Sequence, residues 1–239
     1  MIEPKPIDPN QPAPSTDRLA QAAVEPIVSG MVVGLGTGRT ADRAVRALAR
    51  RMREHKLDID CVCCSVATEQ LALELGLPTV PFNEVESVDF LVDGAVEVDH
   101  QLRMLKGQQG AITRQRLVAS VSKRNVYILA SEERFVPRFG ANSPLTIVII
   151  PFGTASIRNR LRDMGLSGVI RRNLDGEIHV TDGGGVIIDA RFPERDAEEL
   201  AIELDHVTGV VDHGIFIDEA DEVLVECKSG EIKRLTRPV

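Results

Sequence analysis

The pattern that most constrains the fold is a short apolar strand followed directly by a glycine turn and an amphipathic helix. Residues 31–36 are Met-Val-Val-Gly-Leu-Gly, and apolar side chains then recur at helical spacing from Ala41 to Met52. Further strands are predicted at 59–64, 88–92 and 125–130, with helices at 67–75 and 112–122 between them. Strands and helices that alternate in this way predict a parallel sheet, whose ligands bind beyond the carboxyl ends of the strands.

The pattern changes after Pro144. Strands are predicted at 145–150, 169–172 and 186–190, with helices at 155–164 and 197–204, a β-α-β-β-α series typical of a ferredoxin-like unit. Short strands at 215–218, 222–226 and 232–235 suggest that the chain returns to the first sheet near residue 214. The predicted fold class is therefore α/β, with a Rossmann-like parallel-sheet domain at 16–144 and 215–239 and an inserted ferredoxin-like α+β lid domain at 145–214. Residues 1–15 contain five prolines and are expected to form a flexible tail.

Charge and composition exclude several classes of partner. The net charge of -8, one Tyr and no Trp argue against binding of nucleic acid or anionic lipid. No apolar stretch approaches the length of a signal peptide core or a membrane helix, so a cytoplasmic protein without a membrane partner is expected. The four cysteines and five histidines show no metal-ligand spacing, which predicts reduced core thiols and no metal site.

The turn at residues 36–40 is a candidate anion site. Its position between a strand and a helix leaves backbone N–H groups free to cradle a phosphate, and two threonine hydroxyls add donors; the residues are Gly36, Thr37, Gly38, Arg39 and Thr40. An ordinary tight turn is the simpler alternative. A nicotinamide site is a further alternative, but no acidic residue ends a strand about 20 positions later, as that fingerprint requires.

Four segments in order carry a resemblance to a known family: GLGTGRT at 34–40, SVATE at 65–69, DGAVE at 93–97 and KGQQGAITRQ at 106–115. VTDGGGVIID at 180–189 and GVVDHGIF at 209–216 extend it, so that it covers residues 17–237. The chain resembles ribose-5-phosphate isomerase type A. The resemblance implies a homodimer or homotetramer that interconverts ribose 5-phosphate and ribulose 5-phosphate, in the pentose phosphate pathway, through an enediolate and without a cofactor.

The resemblance also implies roles for individual residues. Asp93 is expected to bind a sugar hydroxyl or assist ring opening, and Lys106 to stabilise an enediolate oxygen. The substrate is expected to contact the turn at 36–40 and two further segments, comprising Gly94, Ala95, Val96, Gly107, Gln108 and Gln109.

Several positions depart from the family pattern. Gln115 stands where the family has the glutamate that moves a proton between C2 and C1, and an amide has no basic site for that transfer. Val96 replaces a second carboxylate. Gln108 and Gln109 replace glycines, which narrows the expected pocket. Glu133 stands at the position expected for a substrate-binding lysine.

Two functions follow from these departures. The chain is either an isomerase of the ribose-5-phosphate type with reduced or altered activity, or a non-catalytic phosphosugar-binding or regulatory protein on the same scaffold. Arg39 replaces a small residue, and two roles are open for it: a bidentate contact to a phosphate, or a side chain that fills the site. Glu97 and Glu69 are the nearby carboxylates that could replace the missing base.

Overall fold

The computed structural model describes residues 17–237, so the tail predicted at 1–15 lies outside the described residues. A six-stranded sheet has the order β13-β12-β6-β3-β1-β2. Five of its strands are parallel, and β13 is antiparallel at one edge. The strands of this sheet are β1 (Val32–Leu35), β2 (Asp60–Cys63), β3 (Phe90–Gly94), β6 (Asn125–Leu129), β12 (Glu222–Glu226) and β13 (Ile232–Thr236).

Both faces of this sheet are buried. The helices of this part of the chain are α1 (Arg18–Val24), α2 (Arg39–His55), α3 (Val66–Glu74) and α4 (Ile112–Ser120). Because successive side chains of a strand point to opposite faces, Phe90 and Val92 pack in the core beneath α1 and α2, whereas Leu91 packs with residues of α4. Asp93, two residues after Leu91, therefore faces the α4 side.

The second sheet confirms the ferredoxin-like prediction. Its elements follow in the order β-α-β-β-α-β, and its strand order is β10-β7-β9-β8, with every neighbouring pair antiparallel. The elements are β7 (Leu145–Ile149), α5 (Thr154–Asp163), β8 (Gly168–Ile170), β9 (Val186–Ala190), α6 (Ala197–Asp205) and β10 (Val210–His213). A separate apolar cluster fills this unit, in which Leu161 and Leu200 are buried against Ile147.

The return of the chain to the first sheet differs from the prediction. A third, small sheet has the order β11-β5-β4, with β4 at Glu97–Val98, β5 at Met104–Leu105 and β11 at Ile215–Phe216. The segment after residue 214 pairs with β5, and the chain rejoins the first sheet only at Glu222. Strands of two residues are too short to give a periodic signal in the sequence, so the third sheet was not predicted. The last strand of the inserted unit ends at His213, next to the predicted boundary.

Two of the cysteines lie in or next to the buried core. Burial raises the pKa of the Cys61 and Cys63 thiols to about 12, so neither is a reactive thiolate at neutral pH.

Among residues 17–237, no helix combines the length and the apolar character needed to cross a membrane.

Candidate active site

A cavity that opens to solvent lies beyond the carboxyl ends of β1 and β3. It brings together the turn before α2, the turn after β3 and the loop between β5 and α4. Its lining consists of Thr37, Gly38, Arg39, Thr40, Gly94, Ala95, Val96, Lys106, Gly107, Gln108, Gln109, Gln115 and Arg134. Gly36 and Asp93 are the two predicted site residues that are absent from this lining. None of the described residues that line the cavity carries a carboxylate.

Asp93 lies beneath the cavity, in contact with lining residues, and is fully buried. Its Oδ1 accepts from the N–H groups of Thr37 at 3.1 Å and Gly94 at 2.7 Å. Its Oδ2 accepts from Lys106 Nζ and Gln115 Nε2, both at 2.7 Å. Four donors therefore converge on one carboxylate, which compensates for its removal from water.

Gly36 lies beneath the cavity, where the Asp93 carboxylate occupies the space that a side chain at residue 36 would need. A Cβ at Gly36 would lie 2.0 Å from Asp93 Oδ1, so any side chain there would displace the carboxylate. Gly38 follows with φ of 100°, a conformation that favours glycine, and α2 begins at the next residue. The two glycines thus allow β1 to end against Asp93 and the chain to turn into α2.

Lys106 follows β5 and is almost completely buried. Its ammonium donates to Asp93 Oδ2 at 2.7 Å and to the Gly94 carbonyl at 2.5 Å. The same nitrogen lies 4.9 Å from the ring centroid of Tyr127 and 5.5 Å from that of Phe216. Two acceptors and two aromatic faces hold the charge at the cavity wall.

Gln115 reaches the site from α4. Because its Nε2 donates to Asp93, the amide, and not a carboxylate, completes the set of donors around Asp93. The same contact would place two carboxylates side by side if residue 115 were a glutamate. Val96 contributes an apolar, half-buried side chain to the cavity and offers no group for proton transfer.

The turn at 36–40 offers fewer side-chain donors than its sequence suggests. Each hydroxyl has one hydrogen: Thr68 donates to the Gly36 carbonyl and Ser65 donates to Thr68, which leaves the Thr37 hydroxyl to donate to Ser65. The Thr37 N–H is already bound to Asp93. Within residues 17–237, the N–H groups of residues 38–40 donate no hydrogen bond, so the start of α2 supplies the donors that an anion can use.

Neither alternative carboxylate lies at the cavity. Glu97 is buried and accepts from the N–H groups of Gly140 and Asn142, each at 2.8 Å. These two hydrogen bonds hold the loop at residues 140–142 in place. Glu69 is exposed and lies beside Cys63 and Pro81 in a different cavity. The structure thus gives neither side chain access to a substrate in the cavity.

The segment after β6 corrects one expectation and adds a residue that the sequence reading missed. Glu133 is exposed and forms an ion pair with Lys228 at 2.9 Å, outside the cavity. Its neighbour Arg134 lines the cavity and donates to the Ala95 carbonyl at 3.1 Å. Because Arg134 follows β6 at the same edge of the sheet as Asp93, the rule of strand ends could have identified it.

The arrangement suits the binding of an anion more clearly than proton transfer from carbon. Arg39, Arg134 and the start of α2 offer positive charge and free donors. Lys106 and the amides of the glutamines can bind sugar oxygens. Among residues 17–237, Asp93 is the carboxylate that contacts these residues, and it already accepts four hydrogen bonds.

Comparison with protein families gives a match to the model described as ribose 5-phosphate isomerase A (phosphoriboisomerase A), over residues 60–230. The chain is 40% identical to ribose-5-phosphate isomerase A of Desulfatibacillum aliphaticivorans, a match that covers 88% of this chain and 92% of the relative. It is 41% identical to ribose-5-phosphate isomerase A of Rhizobium meliloti, with 89% and 94% covered.

Solved structures agree with this result. Ribose 5-phosphate isomerase A from Methanocaldococcus jannaschii superimposes with a TM-score of 0.86 at 34% identity, covering 92% of this chain and 96% of the other. A D-ribose-5-phosphate isomerase in complex with phospho-erythronic acid superimposes with a TM-score of 0.87 at 32% identity, with 92% and 96% covered.

Proposed function

The chain belongs to the ribose 5-phosphate isomerase A family, and from that membership we propose that it binds ribose 5-phosphate and converts it to ribulose 5-phosphate far more slowly than an ordinary enzyme turns over. The observation that carries this proposal is the absence of a carboxylate from the described residues that line the cavity. A positioned general base contributes about 10²- to 10⁴-fold to such a reaction.

The proposed phosphate position lies at the start of α2. The free N–H groups of residues 38–40 and the positive end of the helix dipole favour an anion there. Arg39 and Arg134 add two guanidinium groups, each able to make bidentate contacts to phosphate oxygens. These contacts do not depend on the missing base, so the affinity for phosphosugar is expected to be retained.

The proposed position of the sugar lies between Lys106 and Gln115. Isomerisation through an enediolate places negative charge on a sugar oxygen, and Lys106 contributes a buried ammonium to the cavity lining. Lys106 can stabilise the enediolate, but no base removes the C2 proton. The activation free energy of isomerisation is therefore lowered only in part. In the described part of the chain, Asp93 is the carboxylate that contacts Lys106 and Gln115, and its oxygens already accept from four donors.

The same observation supports a second candidate, a non-catalytic phosphosugar-binding or regulatory protein. A relative has been solved with phospho-erythronic acid, a phosphorylated sugar acid. We propose that ligands of that class also enter this cavity, because Gln115 and Val96 place no negative charge where the acid group would lie. On the basis of the family resemblance, a homodimer or homotetramer in the cytoplasm is proposed for either function.

Two measurements on the purified protein separate these functions. Isothermal titration calorimetry with ribose 5-phosphate tests binding, and ¹H NMR over hours detects slow formation of ribulose 5-phosphate. Binding with slow conversion supports the isomerase, whereas binding without conversion supports the binding protein. Absence of binding at millimolar ribose 5-phosphate would reject both. Arg134→Ala should weaken binding in either case, while Glu133→Ala, which removes a charge outside the cavity, serves as the matched control.

A further inference from the structure

Arg171, in the inserted unit, contacts the loop that carries much of the candidate site. Its Nη1 donates to two successive backbone carbonyls, those of Gly107 at 3.0 Å and Gln108 at 3.1 Å. Arg171 does not line the cavity, whereas both residues that it contacts do. The loop therefore lies between the guanidinium and the cavity.

The other edge of the same guanidinium is held by Asp189 on β9. Nε donates to Asp189 Oδ2 at 2.7 Å, and Nη2 donates to Oδ1 at 2.5 Å. Thr146, which pairs with Asp189 in the register of β7 and β9, contacts both side chains at 3.1 Å. Both edges of the planar fork are thus used, and the guanidinium has a fixed orientation.

The hydrogen bonds from Arg171 also determine the direction of two N–H groups on the opposite side of the loop. In a trans peptide the C=O of one residue and the N–H of the next point in opposite directions, and residues 17–237 contain no cis peptide bond. When the carbonyls of Gly107 and Gln108 point at Arg171, the N–H groups of Gln108 and Gln109 point away from it. Within the described chain, neither of these N–H groups donates a hydrogen bond.

The backbone of the loop also depends on close packing against the inserted unit. Gly107 has φ of 116°, and a Cβ there would lie 2.6 Å from Thr146 Cβ. On the other side, the Gln109 side chain lies against the turn before α2, at 3.0 Å from the position of a Cβ on Gly38. The loop is thus confined between the inserted sheet and the anion-binding turn.

We propose that Arg171 is a positioning residue: through the carbonyls of Gly107 and Gln108 it directs the N–H groups of Gln108 and Gln109 into the cavity, where they bind oxygens of the phosphosugar. This inference rests on the proposed function, since it assigns a further part of the binding site for the same ligand. It gives the inserted unit an indirect role in binding, since none of that unit's residues lines the cavity.

The test compares the same substitution at two neighbouring arginines. Arg171→Lys keeps a positive charge beside Asp189 but cannot span the carboxylate and two carbonyls together. Arg172→Lys is the matched control, because Arg172 is exposed and donates to the Gly176 carbonyl in a turn. We expect Arg171→Lys to weaken ribose 5-phosphate binding by about 10- to 100-fold and Arg172→Lys by less than about twofold, with both variants folded by thermal melting.

A second measurement reports on the loop itself. In ¹⁵N NMR spectra, the amides of Gln108 and Gln109 should shift when ribose 5-phosphate binds to the wild-type protein. Without ligand, their order parameters should be near the rigid value of about 0.85 and should fall in Arg171→Lys. Unchanged affinity or unchanged order parameters in Arg171→Lys would overturn the inference. A wild-type protein that binds no ribose 5-phosphate would reject the proposed function, while the order parameters would still decide the role of Arg171.

Discussion

Replacing Gln115 with glutamate returns a carboxyl group to the cavity but also places it against Asp93. In the structure, Gln115 Nε2 lies 2.7 Å from Asp93 Oδ2 and donates a hydrogen bond to it. A carboxylate in the same position accepts hydrogen bonds but donates none. The new group must therefore remain charged beside Asp93, take up a proton or turn towards the cavity.

The free energies of these three outcomes differ. Two charges 2.7 Å apart repel each other by about 6 kcal/mol at an effective dielectric constant of about 20. Proton uptake at pH 7 by a carboxyl with an ordinary pKa of about 4.3 costs about 4 kcal/mol. Turning towards the cavity sacrifices one hydrogen bond to a charged group, which costs about 1.5–3 kcal/mol. The third outcome is the least costly, and it places the carboxylate where a base is required.

We therefore expect Gln115→Glu to lower the free energy of unfolding by about 2 kcal/mol and to raise the rate of isomerisation by about 10- to 1,000-fold. The gain stays below the full contribution of a base because Val96 still replaces a second carboxylate. Urea denaturation measures the first effect, and NMR detection of ribulose 5-phosphate measures the second. Gln108→Glu, which adds the same charge to the same cavity without contact to Asp93, should not raise the rate.

The pH dependence of stability distinguishes turning from proton uptake. If the carboxyl introduced by Gln115→Glu turns towards the cavity, the substitution lowers the free energy of unfolding by the same amount from pH 6 to 8. A carboxyl that stays beside Asp93 has a raised folded pKa, so the folded state holds a proton that the unfolded state has lost, and stability falls by up to about 1.4 kcal/mol per pH unit as the pH rises. A constant loss of stability without any gain in rate would show that a carboxylate facing the cavity does not act as the base.

Three further predictions follow from single contacts. Glu97→Gln should lower the free energy of unfolding by about 1–3 kcal/mol in urea titrations and leave ribose 5-phosphate binding unchanged, because Glu97 holds only a distant loop. Arg134→Ala should weaken ribose 5-phosphate binding by about tenfold or more in calorimetry with little change in stability. Burial and the charge of Arg116 lower the pKa of His213, so below about pH 6.5 the unfolded chain binds a proton that the folded chain does not, and the free energy of unfolding decreases as the pH falls. His213→Gln should reduce this loss of stability in thermal melts from pH 5 to 7. An unchanged loss would contradict the role of His213.

The parts of the site that follow from local sequence could be predicted. The apolar run before Asp93 and the glycines of the turn at 36–40 mark the end of β3 and the start of α2. Because parallel strands end at one edge, the sequence also predicts that these segments meet. The donors around Asp93 come from three different segments, and their exact pairing depends on packing that periodicity does not encode.

Long-range contacts account for what the sequence reading missed. The exposed Glu133 and the cavity-lining Arg134 are adjacent, and spacing alone does not show which of them turns inward. The acceptor role of Glu97 depends on N–H groups more than 40 residues away. Arg171 contacts Gly107 across 64 residues, so no local pattern marks it.

Whether the cavity lacks a working base is decided by the turnover of the wild-type protein on ribose 5-phosphate, measured at a concentration that calorimetry shows to be saturating. With no carboxylate among the described residues that line the cavity, turnover well below about 1 s⁻¹ is expected, together with clear binding. Turnover in the ordinary enzyme range of about 1–10³ s⁻¹ would show that the chain is not a slow isomerase, because such a rate requires a base that this cavity does not present.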